Sequence, residues 1–362
     1  MPLNITGGLS ADRKIKVGFI GCGSHAFRNV YPTFQFAPVQ LVATCDLNPE
    51  KAAAYAKQFG ADRSYSNHHE MLNAEDLDAV FIVTNYDEQG RPRYPKLAAD
   101  CLKAGRHVWM EKPAAASSED LVRLREQAGE RNVMVGLKKM FFPANQKAQE
   151  LMHTPDFGAA MMAQIQYPMP IPTQSEFDRY MQGRENLPSV VSFLDHLCHP
   201  VSLLLFLMGM PTTLHFQRTS SGAGVAMFSY ADGRLATISL THGSAGPMER
   251  TTIVSDRGRQ IIVDNNIRVT YHRDVPGYQY GASPSHFLGT PEQTSAVWEP
   301  EFSLGQLYNK ALFLLGYYGE VTEFANAILE KRKIVKAHLD HAIQATRIFE
   351  AFAEGPGKTI VL

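Results

Sequence analysis

Cysteine is scarce and unclustered in this chain. Cys22, Cys45, Cys101 and Cys198 are the four among 362 residues, and no two stand in a CxxC spacing. This excludes a zinc knot or a disulfide scaffold and reads as reduced thiols in a cytosol. An excess of one charge is also missing. Lys and Arg number 35 against 36 Asp and Glu, a formal net charge of −1, so nothing attracts the chain to nucleic acid or to an anionic membrane irrespective of sequence. Long apolar runs are absent. The run after the basic pair near the N-terminus is shorter than a signal-peptide core or a membrane span, and the later run Val201 to Met208 is too short to span. Internal repeats, heptads and low-complexity tracts are lacking too. A chain of this length with 44% apolar and 20% charged residues buries a real core, and the expectation is a globular cytoplasmic protein larger than one small domain.

What is present is an alternation. Ile15 to Ile20 reads as a strand, followed by a glycine-rich turn and a helical stretch from about Ala26 to Ala37. Gln40 to Cys45 is a second strand. Asn48 as N-cap, Pro49 at the first helical position and Gly60 as stop punctuate the next helix. Asp78 to Thr84 is nearly continuous in apolar residues, as a strand covered on both faces is. A helix over Pro95 to Ala104, a strand over His107 to Glu111, a helix opened by Ser117-Ser118-Glu119-Asp120 as a capping box, and a strand over Val133 to Leu137 complete the series. Such alternation gives βαβ units and a parallel sheet, here over residues 1–138. Residues 139–362 change character. Strand-like segments at Ala159 to Tyr167, Ala226 to Tyr230, Leu235 to Thr241, Thr251 to Ser255, Gln260 to Asp264 and Ile267 to His272 predict a large, mostly antiparallel sheet. The helix Val190 to Met208 interrupts it. Helices over roughly Leu307 to Arg332 and His338 to Phe352, then a strand at Lys358 to Leu362, close the chain. The fold class is α/β, with an α+β second unit.

Three clusters carry chemistry. Gly21-Cys22-Gly23-Ser24-His25-Ala26 fits G-x-G-x-x-A between a strand and a helix. Gly21 allows the tight turn, and Gly23 lets the backbone approach a pyrophosphate at the positive end of the helix. Asp46 ends the second strand 23 residues after Gly23. An acid there accepts hydrogen bonds from ribose hydroxyls and repels a 2′-phosphate, favouring NAD over NADP unless a nearby Arg or Lys meets the phosphate. A strand–turn–helix without a ligand is the plain alternative. Glu111-Lys112-Pro113 ends a parallel strand, where ligands bind, so Lys112 faces either the crevice or solvent. Asp195 and His199 are four apart and share a helical face. A carboxylate beside an imidazole suits acid–base work near neutral pH, although a helix-start aspartate and a core histidine give the same pattern. His196 and His199 have no further ligand cluster in the sequence, so no metal is expected.

In this order the motifs resemble those of the glucose–fructose oxidoreductase / inositol dehydrogenase / rhizopine-catabolism (Gfo/Idh/MocA) family of NAD(P)-dependent oxidoreductases. The likeness runs from GFIGCGSHA and Asp46 through AGRHVWMEKP, VGLKKMFFP, Asp156-Phe157-Gly158 and the Asp195/His199 pair to YYGEVTEFANAIL. It implies a Rossmann domain over residues 1–138 and a substrate-binding and oligomerisation domain over 139–362, with the closing helices packing back on the first. It further implies that Gly21, Gly23, Ser24 and His25 line the pyrophosphate and nicotinamide end, that Asp46 holds the ribose, and that Thr84 and Asn85 flank the cofactor. Glu111 and Lys112 would lie beside the nicotinamide, with Asp195 and His199 completing the catalytic group. There are departures. Thr84-Asn85-Tyr86 replaces the family's usual Pro-Asn, extra residues occupy Glu88 to Arg93, and Tyr94 falls where a histidine is common. The glycine-rich lead-in to Asp195 is replaced by Leu187-Pro188-Ser189-Val190, and Lys138 and Lys139 stand near a customary arginine.

The resulting expectation is hydride transfer between a nicotinamide and a secondary hydroxyl of a sugar, sugar derivative or cyclitol. His199 is the expected base, Lys112 donates to the reacting oxygen with its pKa pushed down, and Asp195 orients the imidazole or binds a neighbouring hydroxyl. Tyr167, Arg179, Arg184 and His242 are substrate candidates, and an aromatic loop with Tyr271, Tyr278 and Tyr280 either stacks on a sugar or packs between subunits. Redox-neutral glycoside cleavage or epimerisation on retained NAD, and a non-catalytic dinucleotide-binding regulator, are the competing classes. A homodimer or homotetramer is expected, because a large sheet with one exposed apolar face needs a cover.

Overall fold

The computed structural model describes residues 13–183, 185–241, 249–273, 295–299 and 310–362. Six short strands, β1 (Ile15–Ile20), β2 (Val39–Cys45), β3 (Arg63–Tyr65), β4 (Ala79–Ile82), β5 (His107–Met110) and β6 (Val133–Val135), pair in parallel in the order β3-β2-β1-β4-β5-β6. Every residue of β4 is buried, as its unbroken apolar run requires for a strand covered on both faces. The strand order reverses between β1 and β4, so the chain parts there and a crevice opens beyond their carboxyl ends.

Helices α1 (Pro49–Phe59), α2 (His68–Ala74), α3 (Tyr94–Lys103) and α4 (Ser118–Ala128) flank this sheet. The start and stop expected for α1 are both made. Asn48 accepts from the N–H groups of Glu50 and Lys51, and Gly60 adopts a left-handed φ of 77°. Two expectations need correction. The stretch after the glycine turn is a π-type turn (Ala26–Val30) running into a 3-10 turn (Tyr31–Gln35), not a regular α-helix. Pro32 has no N–H to continue an α-helix, and the ring of Tyr31 stacks on Phe19 at 3.9 Å, so packing sets the path. The capping box at Ser117 is not formed either. The N–H and hydroxyl of Ser118 instead donate to Glu350, at 2.8 and 2.7 Å.

The remaining elements are α5 (Pro143–Met152), α6 (Gln174–Met181), α7 (Pro188–Met208), α8 (Lys310–Leu314), α9 (Tyr317–Leu329) and α10 (Leu339–Ala353), with strands β7 (Ala160–Tyr167), β8 (Thr213–Arg218), β9 (Gly224–Ser229), β10 (Leu235–Leu240), β11 (Arg250–Ser255), β12 (Gln260–Asp264), β13 (Arg268–His272), β14 (Ser295–Trp298) and β15 (Thr359–Val361). The nine strands run β14-β13-β12-β11-β7-β10-β9-β8-β15. β7 and β10 pair in parallel and the other neighbours antiparallel. The helix expected over Leu307 to Arg332 is interrupted at Gly316, whose φ is 78° and where a Cβ would lie 2.6 Å from the Lys138 carbonyl oxygen.

Two helices tie the units together. Phe324 of α9 meets Phe81 of β4 edge-on at 5.5 Å. Ahead of α10, the N–H of Val135 donates to Ala337 at 2.8 Å, and Met134 and His338 form a bridge at the sheet edge. By length and mean hydropathy α7 could cross a bilayer, a reading the separate short runs of its sequence conceal; here 67% of its apolar window is buried inside the fold.

Candidate active site

The glycine turn is built by exclusion. At Gly21, with φ 109°, a Cβ would fall 1.8 Å from the Val83 carbonyl oxygen, so no other residue fits. At Gly23 nothing lies within 4 Å of where a Cβ would stand. The first glycine serves the turn, and the second leaves open space on the crevice side. Asp46 joins the turn to α1: its Oδ2 accepts from the Cys22 N–H at 2.8 Å and its Oδ1 from the Asn48 N–H at 2.9 Å. The crevice holds about 1210 Å³ and takes in Gly21, Gly23, Asp46, Thr84, Asn85 and Tyr86, with Lys51 on the same wall. The Thr84 hydroxyl is buried there without a partner among the described residues. An open cradle at the turn, an acid at the end of β2 and an unsatisfied hydroxyl after β4 fit a dinucleotide laid across the sheet's switch point.

At the end of β5 the polypeptide turns toward α4, at the carboxyl edge of the first sheet. Glu111 is buried, and its Oε1 lies 2.9 Å from His25 Nε2, so the glycine turn and β5 are linked through a side-chain pair. Burial alone would raise the Glu111 carboxyl; the His25 hydrogen bond and the nearby Lys112 and Lys138 outweigh it and hold it below the usual range. Lys112 precedes Pro113 across a cis bond, and its Nζ lies 2.9 Å from Asp195 Oδ1 on α7. Burial works to lower the Lys112 pKa, yet Asp195 and Glu111 prevail and raise it. This corrects the expected direction: in the protein itself Lys112 is held as an ammonium. Asp195 Oδ1 also accepts from the Tyr86 hydroxyl at 2.7 Å.

His199 lies one turn along α7 from Asp195, on the same side, as the spacing requires. It is half-buried, and its ring centroid is 6.2 Å from that of Tyr167. Burial and the charges of Lys112, Lys139 and Lys138 push its pKa well below the ordinary imidazole value, so it is neutral at pH 7. Of the two roles expected for Asp195, orienting the imidazole or binding a neighbouring hydroxyl, the first has no Asp195–His199 bond behind it among the described residues; Asp195 bonds Lys112 and Tyr86. Lys138 donates to the Tyr317 hydroxyl at 2.9 Å, and buried Lys139 pairs with Glu249, which Asn266 also bonds.

The other predicted residues are distributed as follows. Ser24 is exposed and accepts from Arg28 at 3.1 Å. Asn85 is exposed at the crevice. Arg179 forms an exposed ion pair with Glu185 at 3.0 Å, a solvated-surface arrangement and not part of the Lys112 group. Tyr271 is buried and donates to Asp156 at 2.7 Å, which makes it a packing residue of β13. Arg184, His242, Tyr278 and Tyr280 lie outside the described residues. The fold also assembles groups that the sequence motifs did not single out. Tyr86 is one. Glu320 on α9 is another, fully buried with neither oxygen bonded among the described residues. The trio His68, His69 and Asp100 is a third; both imidazoles converge on the same Asp100 oxygen, at 3.0 and 3.7 Å. Burial pushes all four cysteine thiols up to about 12, which leaves none of them a ready nucleophile.

Comparison with known proteins agrees with this arrangement. Residues 15–139 match the oxidoreductase family with an NAD-binding Rossmann fold, and residues 145–260 match the GFO/IDH/MocA C-terminal domain. The chain is 21% identical over 291 residues to the myo-inositol 2-dehydrogenase of Thermotoga maritima, covering 79% of each protein. Among solved structures, a dehydrogenase from Chromobacterium violaceum superposes with a TM-score of 0.75 at 21% identity, covering 95% of this chain and 96% of that one. An oxidoreductase from Agrobacterium radiobacter, in complex with NAD+, L-tartaric acid and magnesium, does so with a TM-score of 0.72 at 13% identity, covering 96% and 98%. With both of its domain types matched in order along one chain, this protein belongs to the GFO/IDH/MocA family of NAD-binding oxidoreductases.

Proposed function

We propose that this chain is an NAD-dependent dehydrogenase acting on a secondary hydroxyl of a sugar, sugar derivative or cyclitol. The observation that carries the reading is the pairing of Lys112 with Asp195, one helical turn from a neutral His199, at the end of a strand beside the crevice. The family relative that acts on myo-inositol supports the substrate class.

In this reading Gly21, Gly23, Ser24 and His25 approach the pyrophosphate and nicotinamide end, Asp46 takes the ribose hydroxyls through its remaining lone pairs, and Thr84, Asn85 and Glu111 flank the cofactor. Bound NAD supplies the hydride acceptor. The chain supplies the proton chemistry. The ring nitrogen of His199 accepts the hydroxyl proton as the carbinol becomes a ketone. The Lys112 ammonium hydrogen-bonds the same oxygen and stabilises its developing negative charge. Asp195 fixes Lys112 in place, and Tyr167 lies beside the histidine where substrate packs. Asp46 favours NAD, while Lys51 on the same wall is the residue that would meet a 2′-phosphate.

The same reading puts the unit boundary at residues 138/139, shortly after β6 ends at Val135. The outward face of the large sheet carries exposed Val225, Met227, Leu235 and Val297, an apolar surface suited to a second copy of the chain. Four unpaired thiols support a cytoplasmic location in this reading. The test is nicotinamide absorbance, with NAD and NADP offered separately against sugars, cyclitols and sugar acids. A rise with NAD and one substrate group is expected. A flat trace throughout, with NAD recovered from the denatured protein, would overturn the dehydrogenase.

A further inference from the structure

The segment between β4 and α3 is used by the fold in a specific way. Residues 86–92 form a small hairpin: Tyr86 bridges Pro92, the Asp87 N–H donates to the Arg91 carbonyl at 2.8 Å, and Asp87 Oδ1 accepts from the N–H groups of Gln89 and Arg91 at 3.0 and 2.8 Å. Its tip is seated against the second unit. The buried Tyr180 hydroxyl donates to the Gly90 carbonyl at 3.0 Å. A Cβ at Gly90, where φ is 74°, would lie 2.5 Å from Val191 Cγ2 and 2.7 Å from Asn186 Oδ1. Asp87, Gly90 and Tyr180 therefore fix the hairpin from both sides, and with it the Tyr86 ring.

That ring ends at Asp195 Oδ1, 2.7 Å away, on the oxygen that also receives Lys112 Nζ at 2.9 Å. Two donors from two different elements thus bracket one carboxylate oxygen. Resting on the dehydrogenase reading above, we propose that Tyr86 is a positioning residue, whose hydroxyl holds Asp195 ionised and shares its charge, so that Lys112 stays an ammonium free to reach the substrate oxygen. A neutral donor on a carboxylate favours the charged form, and sharing one oxygen between two donors weakens its hold on each. The phenol itself cannot act as the base, since burial and Asp195 raise its pKa. The other groups facing this cluster are His196, Cys198 and His199 on α7, Tyr94 on α3, and Glu111 beside Lys112. Among the described residues, the side chains within hydrogen-bond distance of Asp195 Oδ1 are Lys112 and Tyr86.

The test is Tyr86→Phe, which keeps the ring and removes the donor. Three quantities are measured: the Asp195 titration in cofactor-free protein by 13Cγ-aspartate NMR, assigned with Asp195→Asn; the pH profile of kcat/KM; and NAD affinity by fluorescence. The expected results are an upward move of the Asp195 titration by about one pH unit, an acid limb of kcat/KM still set by His199, and a kcat lowered about tenfold with NAD affinity within about twofold of wild type. Gly90→Ala leaves the hydroxyl in the chain but unseats the hairpin, and it should move the Asp195 titration in the same direction; it carries the test if Tyr86→Phe does not fold. An unmoved Asp195 titration in both variants overturns the proposal. Lys112→Ala separates the two readings. If Lys112→Ala abolishes turnover and Tyr86→Phe changes nothing, the dehydrogenase stands and the role of Tyr86 falls. If Lys112→Ala turns over like wild type, the catalytic reading falls, and the NMR titration still judges the Tyr86–Asp195 coupling.

Discussion

Gly21 and Gly23 are two residues apart and are glycine for different reasons, which makes them separable. Gly21→Ala would drive a methyl into the Val83 carbonyl oxygen and should leave little folded protein, as thermal melting will show. Gly23→Ala meets nothing in the protein and should fold and melt like wild type. Its methyl would occupy the space a pyrophosphate needs, so its NAD affinity should fall at least about tenfold, or about 1.4 kcal/mol, in a binding titration. His199 adds a pH signature. Its pKa is depressed in the folded chain, so it binds no proton until the pH falls below the ordinary imidazole value. The acid limb of kcat/KM assigned to it should therefore lie below about 6.5, and His199→Ala should lower kcat by roughly 10²–10⁴-fold. Glu320 runs the other way. Burial and the neighbouring Glu111 raise its pKa well above the carboxylate range, so above the unfolded pKa the folded chain keeps a proton that the unfolded chain releases. Stability is lost as pH rises through that window. Glu320→Gln should remove the loss, raising the melting temperature more at pH 8 than at pH 5.

At the scale of elements, legibility followed locality. The limits of α1 were readable because a cap acts within its own turn, and Asn48→Ala should cost about 1 kcal/mol in chemical denaturation. The same reasoning failed at Ser117, whose side chain makes no cap, while Glu350 of α10, distant in sequence, accepts from the N–H and hydroxyl of Ser118 at the first helical position. It also failed after Gly23, where Pro32 and the Phe19–Tyr31 stack bent a helix-like pattern into π and 3-10 turns. Strand β8 and helices α5 and α6 were not anticipated, although α6 opens with a complete capping box between Thr173 and Glu176. The Asp195/His199 spacing correctly placed both on one side of α7. Spacing along one helix could not reveal that Asp195 would turn to Lys112 and Tyr86, which arrive from β5 and from the hairpin before α3.

For the whole molecule, the large sheet leaves Val225, Met227, Leu235 and Val297 exposed on its outward face. Cross-strand register places Met227 opposite Thr237 and Val225 opposite Ser239, all outward, while Ala226, Phe228, Ala236 and Ile238 face the core. If a second copy covers this face, the double variant Val225→Lys, Met227→Lys should sediment as a smaller species than wild type while keeping its melting transition. Unchanged sedimentation would place the subunit contact elsewhere. The closing helices work at the same scale. α9 packs on β4 and α10 on α4, so the C-terminal part of the chain completes the flank of the first sheet.

The linear chain carried everything that depends on neighbours a few residues apart: the βαβ alternation, the two glycines, the acid ending β2, the lysine ending β5 and the Asp–His face of α7. These rest on strand period, helix period and backbone sterics, which operate locally. The partnerships among charges came only with the folded whole. That Lys112 is held protonated, that His199 is neutral, that Glu111 answers His25 across 86 residues and that the hairpin before α3 delivers Tyr86 to Asp195 are all consequences of which distant segments share one buried volume. Burial and through-space charge set those states, and neither has a period along the sequence.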